Sequence, residues 1–303
     1  NAQINEYLRV QRDKYGFVHN QTVRLFNSGT KLQDAGQTIE EIVPESLSAL
    51  WHTHGYHGTY SHNARGVVNR YLGFYDGNPS NLNPLPLREE ASKYVDYMGG
   101  ADAIMASANA DFQNGEYRFV ASVLGKLVTD QPDYWPARHL LADTLEQLGY
   151  QAEGPQWRNA YLSAAKELRV GHVLTPSKKN SIDGLFSAVS PEELFDSLAV
   201  RVDSTKVAKK DLTFLVTLTD RQEMWWLELK HGNLSSILIR EHKKADAELS
   251  LPYTALVKIA TGQAGLKEML EMGLASIDGS LLAVGSLLLS LEASDSNFQI
   301  VGG

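Results

Sequence analysis

The feature that most constrains this chain is a change of hydrophobic period near residue 184. Upstream, apolar residues recur at helical spacing: Ile4, Leu8, Tyr15, Val18, Val23 and Phe26 mark one such face along residues 4–27. Downstream, Leu212, Phe214, Val216 and Leu218 alternate with Thr213, Thr217 and Thr219, the period of a half-buried strand. Between the two regimes lies the polar stretch Thr175–Gly184, with Pro176, Ser177, Lys178, Lys179 and Asn180, which reads as a linker. At 303 residues the chain is too long for one compact core, so a multidomain protein is expected, mostly α first and α+β after the linker.

In the first part, Thr38 with Glu40 and Glu41 reads as the start of a short helix ending near Pro44, and Glu45–Leu50 as helical. A loop dense in Gly, His and Tyr, Trp51–Asn63, precedes a helix over about Ala64–Tyr75 that Asp76-Gly77-Asn78-Pro79 stops. The three prolines of Pro79–Pro86 predict irregular chain. From Gly99 to Leu168 the pattern becomes helix pairs. Ala110, Phe112, Gly115 and Tyr117 lead to Leu124 and Leu127, then to a break at Asp130–Asp133. Ala137, Leu141, Ala142, Leu145 and Leu148 follow, with a last helix at Trp157–Leu168. Small residues where helices cross resemble tetratricopeptide-like pairs, the alternative being a plain helical bundle. Little more than one and a half repeats are present, too few for a free-standing solenoid, so these helices need a further surface such as a second copy.

After the linker, Ser190 with Glu193 makes a capping box. Trp225, Leu227 and Leu229 run to a turn at His231-Gly232-Asn233, Ile237 and Ile239 return from it, and Leu249 and Leu251 form a further strand ended by Pro252. Tyr253–Thr261 reads as a helix stopped by Gly262, and Gly265–Leu291 as an apolar helix–turn–helix. An apolar ligand groove is expected between Phe214, Val216 and Trp225 on one side and Met269, Met272, Leu281 and Leu282 on the other. Adaptable Met side chains suit flexible alkyl chains, while a filled core is the competing reading.

A formal net charge of −8 without a basic stripe argues against nucleic-acid binding. No apolar run is long enough for a membrane-spanning helix. With no Cys, thiolate chemistry and Cys-ligated zinc are excluded. That absence suits the cytosol as well as the periplasmic or secreted location adopted as the expectation. The chain starts at Asn1 without a signal peptide, which reads as a fragment or processed product. His52, His54 and His57 share the spacing of the metallo-β-lactamase motif H-x-H-x-D-H, but Tyr56 stands where the Asp ligand belongs, so the loop reads as a structural turn. His62 with Arg65 and Arg70 at a helix start suggests either an anion site or ordinary surface pairing. The acidic pairs Glu40-Glu41, Glu89-Glu90 and Glu192-Glu193 read as helix-start residues rather than a catalytic dyad.

The segments Gly55–Arg65, Arg70–Pro79 and Tyr94–Ala103 resemble bacterial alkyl sulfatases, which hydrolyse detergent esters such as dodecyl sulfate. Leu148–Glu153 and Trp157–Asn159 continue the likeness, while family members usually carry Arg and Tyr where this loop has His54 and His57. The resemblance implies a parent with an N-terminal metallo-β-lactamase-like domain holding two zinc ions, a helical dimerisation domain and a sterol-carrier-like domain that gathers the alkyl chain. Mapped here, residues 1–98 would trail the catalytic domain, 99–174 would make the homodimer, 175–184 would be the linker and 185–303 the sterol-carrier-like α+β domain. Tyr56, His57, His62 and Arg65 would form an anion-binding or catalytic-domain-facing loop. No catalytic or metal-binding residue carries over, and no cofactor is expected in this chain. The expected function is the dimerising, alkyl-chain-binding portion of a zinc-dependent alkyl sulfatase, inactive by itself. The alternatives are a stand-alone carrier of lipids or detergents and an oligomerisation scaffold.

Overall fold

The N-terminal amphipathic stretch forms α1 (Ala2–Asn27) in a computed structural model that describes residues 2–171, 189–292 and 298–301. Its inward face differs from the stripe expected: Val18 is buried with Lys14 and Thr22, whereas Ile4, Leu8 and Tyr15 are exposed. Helix α2 (Leu32–Glu41) packs on α1 and buries Ala35 and Ile39. Thr38, Glu40 and Glu41 therefore end a helix instead of starting one, and the Thr38 hydroxyl donates back to the Asp34 carbonyl. The short helix α3 (Glu45–Ser48) and a 3-10 turn at Trp51–Thr53 lead to α4 (Tyr60–Leu72). Helix α4 begins at Tyr60 rather than Ala64 because the Thr59 hydroxyl accepts from the His62 N–H at 3.0 Å, a side-chain cap that periodicity does not reveal.

The remaining helices of this part are α5 (Leu87–Tyr97), α6 (Ala101–Gln113), α7 (Tyr117–Asp130), α8 (Trp135–Gln151) and α9 (Pro155–Val170). They close over one core in which Leu124, Leu127, Leu141 and Leu168 are sealed from solvent. Helices α8 and α9 approach closely at Gly149, where a Cβ would come within 2.8 Å of the Leu162 side chain. Arg169 on α9 ties back to α8 by donating to Asp143 and Glu146, each at 2.7 Å.

The chain divides into two compact units, Asn1–Leu174 with Asn297–Gly303, and Thr175–Ser296. The division expected at residue 98 does not separate units, because Val95 of α5 shares the core of α6, α7 and α8. Ile300 and Val301 donate their N–H groups to one Glu167 oxygen, both at 2.8 Å, so the last described residues belong to the helical unit. The linker expected at Thr175–Gly184 lies outside the described residues.

In the second unit, α10 (Pro191–Ala199) starts with the expected capping box: the Ser190 hydroxyl accepts from the Glu193 N–H and the Glu193 carboxylate accepts from the Ser190 N–H. After the single turn α11 (Ser204–Val207) come β1 (Leu212–Leu218), β2 (Glu223–Lys230), β3 (Asn233–Ile239) and β4 (Ala247–Leu251). Then follow α12 (Tyr253–Ala260), α13 (Leu266–Glu271), β5 (Ser276–Gly279) and α14 (Leu281–Ser290). The described strands form one sheet in the order β3-β2-β1-β4-β5, with β1 and β4 parallel and the other neighbours antiparallel. His231 and Gly232 both adopt positive φ, the two-residue hairpin turn whose twist matches its strands. The helix–turn–helix expected over Gly265–Leu291 is corrected: its central segment is β5, paired with β4 from Ser276 to Gly279.

Alternation along the strands sends Phe214, Val216, Leu227 and Leu229 to the helix-covered face and Leu215 and Trp226 to the other. Those two are nonetheless buried, Trp226 beneath the 240–246 connection from β3 to β4. Lys243 lies 3.9 Å from the centre of the Trp226 ring, and His242 pairs with Glu248 on β4 at 2.9 Å. Ile237, paired with Trp226 on that face, stays 60% exposed, and the enclosed apolar space lies on the other side, between sheet and helices.

Candidate functional site

That space exists as an apolar cavity of about 80 Å³ under α14. The sheet contributes Phe214, Val216 and Leu249 to its floor, α10 and α12 contribute Phe195 and Leu256, and α14 closes it with Val284 and Leu287. Helix α14 is apolar over most of its length, yet only the side carrying Val284, Leu287 and Leu288 meets the cavity. Its end is fixed by a strand-like clamp: Val202 bridges Leu291, the Asp203 N–H donates to the Ser290 carbonyl at 2.8 Å, and the Glu292 N–H donates to the Arg201 carbonyl at 2.8 Å. One charged side chain, Arg201, joins the apolar lining.

Of the seven groove residues expected from sequence, Phe214 and Val216 line this cavity. Trp225 is buried beside it but packs on Phe195 with ring centres 5.3 Å apart and donates its indole N–H to Glu223, so it belongs to the filled core. Met269 is likewise core. Met272, Leu281 and Leu282 are 61%, 66% and 84% exposed and do not line the cavity. Met272 sits at the end of α13, beyond the helical turn that buries Met269, and the first turn of α14 points Leu281 and Leu282 outward. Sequence reasoning missed Phe195, Leu256 and Arg201. The helical spacing of Leu194, Phe195 and Leu198 behind the capping box was a legible signal for the first.

The His-rich loop belongs to the helical unit, and its three histidines go to separate partners. His52 lies against the Tyr7 ring at 4.9 Å, His54 Nδ1 is 3.1 Å from Glu153, and His57 Nδ1 is 3.3 Å from the Gln156 amide nitrogen. Among the described residues no group of three or more His, Cys, Asp or Glu side chains is arranged to hold a metal ion. This loop therefore does not fit a zinc centre. Glu153 holds the loop backbone as well, accepting from the Gly55 N–H at 3.2 Å. The Lys14 ammonium donates to the His54 carbonyl; burial lowers its pKa, and the charge of Glu153 opposes that shift.

His62 and Arg65 reach a polar cleft of about 830 Å³ that also holds Glu40, Arg118 and Trp157. His62 Nδ1 accepts the Trp157 indole N–H at 2.8 Å, and the Arg65 guanidinium lies 5.6 Å from the Trp157 ring centre. Tyr56 stacks on His54, and neither Tyr56 nor His57 lines the cleft, so the four loop residues expected together are split. The helix start expected to attract an anion is already capped by Thr59.

An all-helical unit followed by a five-stranded sheet with an apolar cavity defines a two-part chain, and comparison with known proteins places both parts. Residues 32–171 match the alkyl sulfatase dimerisation family and residues 180–303 the alkyl sulfatase C-terminal family. The chain belongs to the alkyl sulfatases, whose C-terminal part it matches. It is 42% identical to an alkyl/aryl-sulfatase of Saccharomyces cerevisiae over 98% of its own length and 45% of that protein's. An (R)-specific secondary-alkylsulfatase of Pseudomonas sp. is 36% identical, with 98% and 44% covered. The solved structure of a stereoselective inverting sec-alkylsulfatase from Pseudomonas sp. superposes with a TM-score of 0.91 at 35% identity, covering 98% of this chain and 46% of that one. The chain spans about half the length of the curated relatives it matches.

Proposed function

We propose that this chain is the dimerising and alkyl-chain-binding portion of a zinc-dependent alkyl sulfatase, its second unit being a sterol-carrier-like module that holds the hydrocarbon tail of the ester. The observation that carries the reading is the apolar cavity beneath α14, an unfilled space in an otherwise packed core. Packed interiors leave few such voids, and one bounded by aliphatic and aromatic side chains on both a sheet and helices suits an alkyl chain. Hydrolysis, with two zinc ions, is assigned to a metallo-β-lactamase-like domain of the whole protein; the histidine loop of this chain supplies no step.

The tetratricopeptide-like helices would make a homodimer. Support comes from the family to which residues 32–171 belong and from the aromatic side chains this unit leaves in solvent, among them Tyr97, Phe119 and Trp135. The test has two arms. Calorimetry should give affinities for butyl, hexyl and octyl sulfate that rise with chain length, without release of sulfate. Light scattering at micromolar concentration should give twice the chain mass. Absence of amphiphile binding by the folded chain would leave the cavity as a packing defect, and a monomer would remove the dimer. Turnover by this chain alone would overturn the assignment of catalysis to another domain.

A further inference from the structure

We infer that Arg201 reads the head group of the cavity's ligand and makes the second unit selective for anionic amphiphiles. The inference rests on the alkyl-chain reading above and adds charge recognition to it. Among the described residues Arg201 is the one charged residue lining an otherwise apolar cavity. Its guanidinium is held by backbone: Nε donates to the Glu292 carbonyl at 2.9 Å and Nη1 to the Ala260 carbonyl at 2.7 Å. No carboxylate forms an ion pair with it among the described residues, and Nη2 has no protein acceptor there. The nearest acidic side chain in sequence across the clamp, Glu292, is taken by Lys206 at 3.2 Å.

A guanidinium carries five N–H donors in a fixed fork, so two backbone bonds leave donors free for a planar or tetrahedral anion. The residue is also positioned in advance, because its own carbonyl accepts from the Glu292 N–H in the clamp that fixes the end of α14. Holding the side chain by carbonyls, which orient the fork without neutralising it, leaves a net positive charge at an apolar wall. A ligand with an alkyl tail and an anionic head, whether sulfate or carboxylate, meets both requirements at once. A neutral or cationic head meets only the first.

The test compares ligands of one chain length on the full chain: decyl sulfate, decanoate, decyl maltoside and decyltrimethylammonium, all below their micelle concentrations, by calorimetry. Decyl sulfate and decanoate should bind about tenfold or more tightly than decyl maltoside, the scale of a charge-assisted hydrogen bond, and decyltrimethylammonium should bind most weakly. Arg201→Gln should bring the anionic ligands to within about twofold of the maltoside, the affinities being compared within that variant. Arg201→Lys should keep most of the preference, which a purely structural role through the two carbonyls would not allow. Circular dichroism checks that each variant is folded. If Arg201→Gln does not fold, the native chain decides: raising NaCl from about 20 to about 300 mM should weaken decyl sulfate and spare the maltoside. Repulsion by the net charge of −8 alone would have the opposite salt dependence. Equal affinities for all head groups in the native chain, or an undiminished preference in Arg201→Gln, would overturn the inference while leaving alkyl binding intact. Failure of every ligand to bind would overturn the alkyl reading itself.

Discussion

Replacing Val284 with Phe puts the cavity reading to a quantitative trial. Val284 is 4% exposed and faces the cavity from α14. A water-sized group needs roughly 10–15 Å³ of such volume, so about 80 Å³ holds between about five and eight methylenes without moving the walls. Each buried methylene contributes ~0.8 kcal/mol, or about fourfold in Kd. Native affinity should therefore climb about fourfold per carbon and then level off once five to eight carbons are housed. Phe adds about four carbons where Val stood and occupies roughly half of that space, so the plateau should come about four carbons earlier. Because the ring enters a void rather than filled core, stability should change by less than the ~1–3 kcal/mol typical of overpacking. Isothermal titration with ethyl to dodecyl sulfate and a urea melt give both quantities. An unchanged chain-length profile in a folded Val284→Phe protein would refute the argument, as would a flat profile in the native chain.

Three further outcomes follow from side-chain placement. Met272→Glu should alter neither alkyl binding nor stability beyond ~0.5 kcal/mol, because Met272 is 61% exposed and off the cavity; a large effect in either assay would put it back in the lining. Gly279→Ala should cost roughly 1–3 kcal/mol in urea unfolding of the second unit, since Gly279 has φ +90° and a Cβ would sit 2.6 Å from the Asp246 carbonyl oxygen; a neutral effect would refute that crowding. Arg169, and after it the Tyr150 hydroxyl, hold the Glu146 carboxyl below the usual glutamate range. The stabilisation from that depressed pKa is fully present above the ordinary value near about 4.3 and lost as pH falls through the folded value. Melting temperatures from neutral to acid pH should thus fall less steeply in Arg169→Gln than in the native chain, and parallel curves would contradict the pairing.

Local signals were legible where one residue type at one spacing serves one purpose. The Ser190–Glu193 capping box, the alternation of β1, the break before α8 and the run of α12 to Gly262 all depend on neighbours within a few residues, and each stands in the fold as read. The same is true of the separation into a helical part and a later sheet, because hydrophobic period reports local geometry directly. Family blocks such as Arg70–Pro79 added what period cannot, since they record a particular ancestry rather than a physical rule.

Only the tertiary structure decided which apolar residues line a space and which fill one. Trp225 and Phe214 sit on the same sheet face, yet the approach of Phe195 on α10 buries Trp225 in core and leaves Phe214 at the cavity. The Leu-rich α14 gives no sequence clue to its inner side, because with apolar residues all round there is no polar face to mark the outer one. Arg201 was invisible for a related reason: its position depends on carbonyls of Ala260 and Glu292, many residues away in sequence. The histidines at 52, 54 and 57 show the converse. Their spacing alone suggested a cluster, but ligand geometry depends on how the loop turns, and Glu153, Gln156 and Tyr7 draw the three rings apart. Sequence alone determines the repeat of the backbone and the caps that end it; which side chains converge depends on long-range packing, which no local period encodes.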